Sequence, residues 1–239
     1  MKARWFLSFP LFACLMMTLV GPVDAAMILN TSGEDNVNDV RFNAGEDDDY
    51  VQGNGVTGTP RFGSHGNSSD LHIAVVKFDI TAASAAINAA PEIELWLTPR
   101  IRAGDVYDGD IRHFGTTSGV VEVADASTAG TSVGTATFAD LAPDNTLKFD
   151  VTSVVKAAAA AGDDFAAFRV EPLGYTDGSL FSPQDPRLTD GNNDRVLFYQ
   201  TGQHSSNRDF DPQLVVIPEP ASLGLLGMGA GLVLLRRRR

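Results

Sequence analysis

The stretch AVVKFDI, residues 74–80, indicates the fold class of this chain. Its period-two alternation places a valine, a phenylalanine and an isoleucine on one face, with Lys77 and Asp79 on the other. Successive side chains of a strand point to opposite faces of a sheet, so the pattern predicts a β-strand with one buried face. The stretches IELWLT, residues 93–98, and LKFDV, residues 147–151, repeat the alternation and predict two further strands.

Weaker alternation extends the strand prediction along most of the chain. Residues 43–70 are rich in glycine, asparagine and aspartate, and they predict a long loop or an irregular hairpin. The remaining predicted strands are Val37–Phe42, Asp110–Phe114, Val120–Ala124, Thr135–Phe138, Phe165–Glu171, Arg195–Gln200 and Gln213–Ile217.

One helix is predicted among the strands, at Val154–Ala161, where most residues are good helix formers. Thr152 or Ser153 is its predicted cap and Gly162 its predicted end. Residues 82–90 form either a second helical turn or a loose connection. Short strands with a single helix predict an all-β domain, a jelly-roll β-sandwich with one short α-helix.

Apolar segments flank this domain, which we place at residues 27–217. Residues 1–25 have the pattern of a secretory signal helix, with Lys2 and Arg4 before an apolar run and small residues at a cleavage site after Ala25. The single cysteine of the chain lies inside this segment, so the exported domain has no thiol and no disulfide. It therefore depends on its apolar core or on bound metal.

The second apolar segment follows the domain. A Pro-Glu-Pro triplet precedes residues 221–235, fifteen residues without a charge, and a cluster of arginines ends the sequence. As a helix the run spans roughly 22 Å, short of a ~30 Å hydrocarbon core, and basic residues after such a run stay on the cytoplasmic side. The segment predicts a transmembrane helix with the domain outside. The residues are Pro218, Glu219, Pro220, Arg236, Arg237, Arg238 and Arg239.

Residues 218–239 resemble the PEP-CTERM sorting signal of Gram-negative bacteria in the triplet, the Leu/Gly-rich helix and the arginines. The resemblance implies recognition by an exosortase, transient anchoring in the inner membrane and cleavage near the triplet. It also implies release to the cell surface or the extracellular polymer. An ordinary tail anchor is the alternative interpretation.

The predicted domain is strongly acidic. Without the six basic and two acidic residues of the two ends, twelve basic and twenty-eight acidic residues remain, a net charge of −16. Such a domain repels nucleic acid and anionic lipid surfaces, and it suits cations or neutral ligands. We therefore expect no nucleic-acid partner.

Short motifs across residues 37–217 also resemble the DNRLRE-type modules of secreted bacterial proteins. Those modules are jelly rolls akin to carbohydrate-binding modules, so the resemblance implies that fold and an extracellular polysaccharide ligand. Residues 117–140 hold small side chains where such modules usually carry a tryptophan-containing segment. The motifs are KFDI (77–80), IELWL (93–97), LKFDVT (147–152), FYQT (198–201) and DPQLV (211–215).

Acidic loops make calcium the candidate cofactor. Calcium takes six to eight oxygen ligands, and alternating Asp and Asn in Gly-rich turns supply several from one loop. The alternative is a solvated acidic surface that keeps the protein soluble. The candidate ligands are Asp105, Asp108 and Asp110 in one loop and Asp190, Asn192 and Asp194 in another.

Trp96 is the leading candidate for sugar contact. The alternation of its strand places it opposite the inward-facing residues, beside Glu94 and Thr98. An aromatic ring next to polar groups is what sugar stacking requires, although a loop or helix covering the ring is the alternative. Tyr107 and Tyr175, each near Asp and Gly, are further candidates.

We predict that the protein is not an enzyme. The predicted domain has no cysteine nucleophile, and its histidines lack the spacing of a metal site or a catalytic triad. The predicted role is a secreted surface or matrix protein that binds extracellular polysaccharide. A hydrolase or lyase acting on that polymer, and a purely structural matrix protein, are the alternatives.

Overall fold

The computed structural model describes residues 26–31, 37–43, 50–52, 60–64, 70–104, 108–138, 141, 145–174, 195–198 and 211–219. The predicted signal helix, residues 1–25, and the predicted transmembrane helix, residues 221–235, lie outside these ranges.

Strands account for most of the regular structure in the described ranges. They are β1 (Met27–Asn30), β2 (Val37–Asn43), β3 (Tyr50–Gln52), β4 (Arg61–Ser64), β5 (Asp70–Asp79), β6 (Glu92–Leu97), β7 (Pro99–Ala103), β8 (Gly109–Thr116), β9 (Thr131–Ala136), β10 (Leu147–Asp150), β11 (Phe165–Pro172), β12 (Arg195–Phe198) and β13 (Gln213–Ile217). The helices are α1 (Ser84–Ala89), α2 (Thr152–Ala161) and a 3-10 helix (Val123–Ala126).

The strands form two sheets, and all described strand pairs are antiparallel. Sheet A has the order β1-β13-β6-β10. Sheet B follows the path β7-β12-β4-β5-β11-β8-β9, with β2 paired to β5 and β3 paired to β2. The prediction of an all-β domain is confirmed.

The main core lies on the inward faces predicted by the alternation. Phe78 of β5 is buried, and so are Leu95 of β6 and Leu214 of β13. The rings of Phe78 and Phe168 meet edge to face, with centroids 6.1 Å apart. Burying one face of each amphipathic strand is the principal gain in stability available to a domain without disulfides.

A repeated pentapeptide turns the chain from strand to helix in both sheets. KFDIT, residues 77–81, ends β5, and KFDVT, residues 148–152, ends β10. In the first, Asp79 Oδ1 accepts hydrogen bonds from the Thr81 hydroxyl at 2.6 Å and the Thr81 amide at 2.9 Å. Asp150 and Thr152 repeat both bonds, at 2.6 and 3.0 Å. In each pentapeptide the aspartate side chain thus closes a local turn, and α1 or α2 follows that turn.

The structure has more helices than the one predicted, and the helical alternative for residues 82–90 is confirmed. Residues 82–90 contain α1, so the described ranges hold two α-helices and a 3-10 helix. The predicted cap is wrong: Val151 occupies the cap position, and the Thr152 hydroxyl instead accepts a hydrogen bond from the Ile93 amide at 2.8 Å. Gly162 ends α2 at a φ of 84°, as predicted.

Several predicted strand boundaries differ from the structure. The predicted strand Val120–Ala124 is wrong, because the Glu122 amide donates to Asp125 Oδ2 at 2.7 Å and closes a helical turn there. Strand β9 begins earlier than predicted, and residues 43–70 contain β3 and β4. Strands β1 and β7 were not predicted.

Candidate functional site

The sorting triplet begins where the last strand ends. Ile217 is the final residue of β13, and Pro218 and Glu219 follow it without a spacer. Strand β13 lies between β1 and β6, with Met27 opposite Val216. The triplet therefore starts at the end of a central strand; Pro220 and the four arginines lie outside the described residues.

Trp96 lies on the outer face of sheet A, as predicted, and it is half-buried. Its neighbours along the strand, Leu95 and Leu97, face the core. The strand register places Gln213 and Lys148 on either side of Trp96, and Asn30 beyond Gln213. A row of amide, indole and ammonium groups thus crosses the sheet.

Two charged side chains contact the indole ring of Trp96. Its Nε1 donates a hydrogen bond to Glu94 Oε2 at 2.8 Å. The Lys148 ammonium lies 3.9 Å from the ring centroid, a cation–π contact. The indole N–H is therefore satisfied, and one ring face carries an exposed, movable cation.

Asp150 stands beside Glu94 on the same outer face, in register across β10 and β6. The hydrogen bonds from the Thr152 hydroxyl and amide lower the pKa of Asp150. Asp150 is therefore ionised at neutral pH, and two carboxyl groups border the Trp96–Lys148 pair.

Two of the predicted calcium ligands, Asp108 and Asp110, lie within the described residues. Asp108 is exposed, whereas Asp110 is buried. Asp110 Oδ2 lies 2.8 Å from Arg112 Nε, and its Oδ1 accepts a hydrogen bond from the Ser132 hydroxyl at 2.5 Å. The side chain is thus engaged within the protein. Asp105, Asp190, Asn192, Asp194 and the aromatic candidates Tyr107 and Tyr175 lie outside the described residues.

No group of three or more His, Cys, Asp or Glu side chains with the geometry of a metal site occurs within the described ranges. The calcium prediction therefore depends on the loops at residues 105–107 and 190–194, outside those ranges.

Sequence reasoning missed a network of ion pairs on the outer face of sheet B. Arg112 Nε lies 2.8 Å from Glu171 Oε1, and Arg169 Nε lies 2.5 Å from Glu171 Oε2. Burial raises the pKa of Glu171, and the hydrogen bond from Arg169 opposes that rise. One carboxylate thus joins two arginines across adjacent strands.

Lys77 lies on the same face and is fully buried, with none of its side chain exposed. Its ammonium lies 2.8 Å from Asp125 Oδ2 and donates to the carbonyl oxygens of Val120 at 2.7 Å and Ser118 at 3.2 Å. These partners belong to residues 117–128, which we name the cover segment. Lys77 therefore fixes the cover segment to sheet B.

A second apolar cluster lies beneath the cover segment. Val121 and Ala126 of that segment are buried with Phe114 and Val75 of the sheet. The alternation of residues 74–80 predicts that Lys77 lies on this outer face of sheet B, opposite the main core. Nothing in the sequence indicated that residues 117–128 cover it, because the contact joins residues more than forty positions apart.

His113 is buried on the opposite face of β8, against the Phe168 ring at 5.2 Å. Its Nε2 has no hydrogen-bond partner among the described residues, and burial lowers its pKa to about 4. His113 is therefore neutral in the folded protein near neutral pH, and its environment is that of a core residue.

Comparison with known families identifies the C-terminal segment. Residues 216–239 match the family model of the PEP-CTERM protein-sorting motif, about a tenth of the chain. No curated protein matches the sequence. Within the described ranges, no helix combines the length and apolar character that a bilayer span needs. The motif implies export, membrane-associated sorting and processing by an exosortase, and it begins within the last strand of the β-domain.

Proposed function

We propose that this chain is a non-enzymatic protein of the Gram-negative cell surface or extracellular matrix, and that it binds extracellular polysaccharide across the outer face of sheet A. The observation that carries the proposal is the position of Trp96, a half-buried indole on an outer sheet face among polar side chains. The PEP-CTERM motif supports the location.

The groups around Trp96 match the chemistry of a sugar. A pyranose presents an apolar C–H face, which stacks on an aromatic ring, and a rim of hydroxyls that donate and accept hydrogen bonds. The rim would meet the carboxylates of Glu94 and Asp150 and the ammonium of Lys148. The net charge of −16 favours a neutral polymer over an anionic one.

The Lys148 ammonium lies over the Trp96 ring, so a sugar must displace it in order to stack there. Lys148 is exposed and belongs to β10, an edge strand of sheet A. An exposed cation–π contact contributes about 0.5–1 kcal/mol, whereas a micromolar ligand gains about 8 kcal/mol on binding. A sugar can therefore displace the ammonium from the ring and receive a hydrogen bond from it.

The proposal also includes a specific fold for the two-sheet domain. We assign the two-sheet domain to the jelly-roll class of the DNRLRE-type modules. Support comes from the antiparallel sheets and from the positions of four of the five shared motifs, which lie in or at the ends of β5, β6, β10 and β13. Calcium, the candidate cofactor, would stabilise the acidic loops that hold it and could thereby aid polysaccharide binding.

Polysaccharide retention tests the proposal. Affinity electrophoresis through gels that contain purified extracellular polysaccharides would compare the exported domain with Trp96→Ala and Val120→Ala. Val120 is an exposed apolar side chain of the cover segment, so its variant is the matched control. We expect retardation of the wild type and of Val120→Ala, and its loss in Trp96→Ala. Free migration of all three proteins on every polymer would refute the proposal.

A purely structural matrix role is the second candidate. It is favoured by the contacts of Trp96 with Glu94 and Lys148, which satisfy the indole inside the chain. In that case Trp96→Ala lowers stability while no polymer retards either protein. Release of reducing ends from a retained polymer would instead identify the hydrolase or lyase alternative.

A further inference from the structure

The first and last strands of the domain leave it at one end. Met27 of β1 pairs with Val216 of β13, and Ile217 pairs with Glu92 at the start of β6. Ala26, the residue after the predicted signal cleavage, and Pro218, the first residue of the triplet, therefore emerge close together. We name this end the terminal pole: residues 26–28, 81–92, 150–152, 162–164 and 217–219.

Hydrogen bonds within each sheet, and the helix that connects the sheets, define the rest of the pole. The Ile80 amide donates to the Asp164 carbonyl at 3.0 Å, so the end of β5 and the approach to β11 lie here. The Val151 amide donates to the Ile93 carbonyl at 2.9 Å, which places the end of β10 beside the start of β6. Helix α1 connects β5 to β6 across this end.

The chain between the pole and the apolar segment is short. Only residues 218–220 separate β13 from the uncharged run at 221–235. Three residues reach about 11 Å at full extension. Each headgroup layer is roughly 5–8 Å thick, because the whole bilayer exceeds its ~30 Å core by about 10–15 Å. The connection is therefore hardly longer than the headgroup layer it must cross.

We infer that the terminal pole lies against the lipid headgroups while the tail is in the membrane, so that the sorting motif is presented in a narrow gap beneath the domain. The inference rests on the proposed sorting route, because it requires the tail to insert. The surface it assigns is the pole, and the partner is the headgroup layer of the membrane.

The acidic side chains of the terminal pole determine whether it can penetrate the headgroup layer. Glu92, Asp150 and Glu219 are exposed there, and Asp163 and Asp164 are half-buried. Such a surface is repelled by anionic lipids and does not penetrate them. The short connection holds the pole at the headgroups, and its charge keeps it from entering.

Cysteine labelling of the membrane-bound chain tests this geometry. Asn88 is exposed on α1 at the pole, and Asn145 is exposed at the far end of sheet A, before β10. The variants Asn88→Cys and Asn145→Cys, each with Cys14→Ala, would be expressed full-length in a host without the sorting protease. A bulky polyethylene-glycol maleimide, added from outside to spheroplasts, would measure access to each thiol.

We expect Asn88→Cys to react several-fold more slowly than Asn145→Cys in the membrane-bound chain, and at an equal rate in a chain that lacks residues 218–239. A flexible Gly/Ser insert of about 20 residues after Ile217, with an end-to-end distance of roughly 25 Å, should restore the reaction of Asn88→Cys. Equal rates in the membrane-bound chain without the insert would overturn this inference alone. A full-length chain found soluble with its tail intact would overturn both the inference and the proposed sorting route.

Discussion

Replacing Lys77 by methionine tests whether its buried ion pair holds the cover segment on sheet B. Methionine keeps an unbranched side chain of similar length and removes the charge. The change leaves Asp125, whose side chain is 9% exposed, without its cation, and it removes the hydrogen bonds to the Val120 and Ser118 carbonyls. Breaking a buried pair by removing one partner costs about 3–5 kcal/mol.

The expected result is a large loss of stability. For a domain of this size each kcal/mol lowers Tm by about 2–4 °C, so Lys77→Met should lower it by roughly 6–20 °C. Urea unfolding followed by far-ultraviolet circular dichroism gives the free energy directly. The double variant Lys77→Met/Asp125→Asn should lose less than the sum of the two single variants, because it also removes the unpaired carboxylate.

The repeated pentapeptide supplies the control. Lys148 occupies the same position in KFDVT as Lys77 in KFDIT, but it is exposed and contacts only the Trp96 ring among the contacts described above. Lys148→Met should cost about 1 kcal/mol or less. Equal, small losses in Lys77→Met and Lys148→Met would refute the argument from burial.

Three further predictions follow from single residues and from the acidic loops. The pKa of His113 is lowered to about 4, so the unfolded chain binds more protons between pH 6.5 and about 4, and stability falls by about 3 kcal/mol as pH decreases through that range. His113→Leu should lack this component, so the difference between the wild-type and variant pH profiles should equal it; parallel profiles would contradict the prediction. Gly162→Ala should cost about 1 kcal/mol in urea unfolding, because φ is 84° there, a backbone conformation that alanine adopts only at a cost; no atom of the described residues lies within 4 Å of the added methyl group, so no clash adds to it. If the acidic loops bind calcium, chelator should lower the Tm of calcium-loaded protein, and an unchanged Tm would count against a site.

Period-two alternation predicted the strands and their buried faces, because burial in a two-layer sheet protein depends on which side of the strand a residue occupies. It could not predict what lies over the outer faces. Lys77 and Lys148 have the same local sequence, yet one is enclosed by the cover segment and the other is exposed on an edge strand. Their environments are set by residues far away along the chain.

The sequence predicted the sheet face on which Trp96 lies, but not the side chain that contacts it. Alternation placed Trp96 on the outer face, and the structure agrees. Its contact with Lys148 depends on the register between β6 and β10, which are separated by about fifty residues and are joined by no hairpin turn. Residues 120–124 of the cover segment were wrongly predicted as a strand, because Val121 and Val123 alternate with polar or small residues, whereas the Glu122–Asp125 capping interaction determined the local backbone.

Strand β13 ends just before the Pro-Glu-Pro triplet, so the chain can be cleaved at the triplet without losing a strand of sheet A. This strand lies between β1 and β6, so sheet A is complete only after the last residues before the motif have crossed the membrane. Leu214, Val215 and Val216 are buried there, and Ile217 still pairs with Glu92. A cut before Ile217 would remove part of a central strand and expose the core of sheet A. A cut after Pro218 removes no strand residue, so release from the membrane leaves both sheets whole.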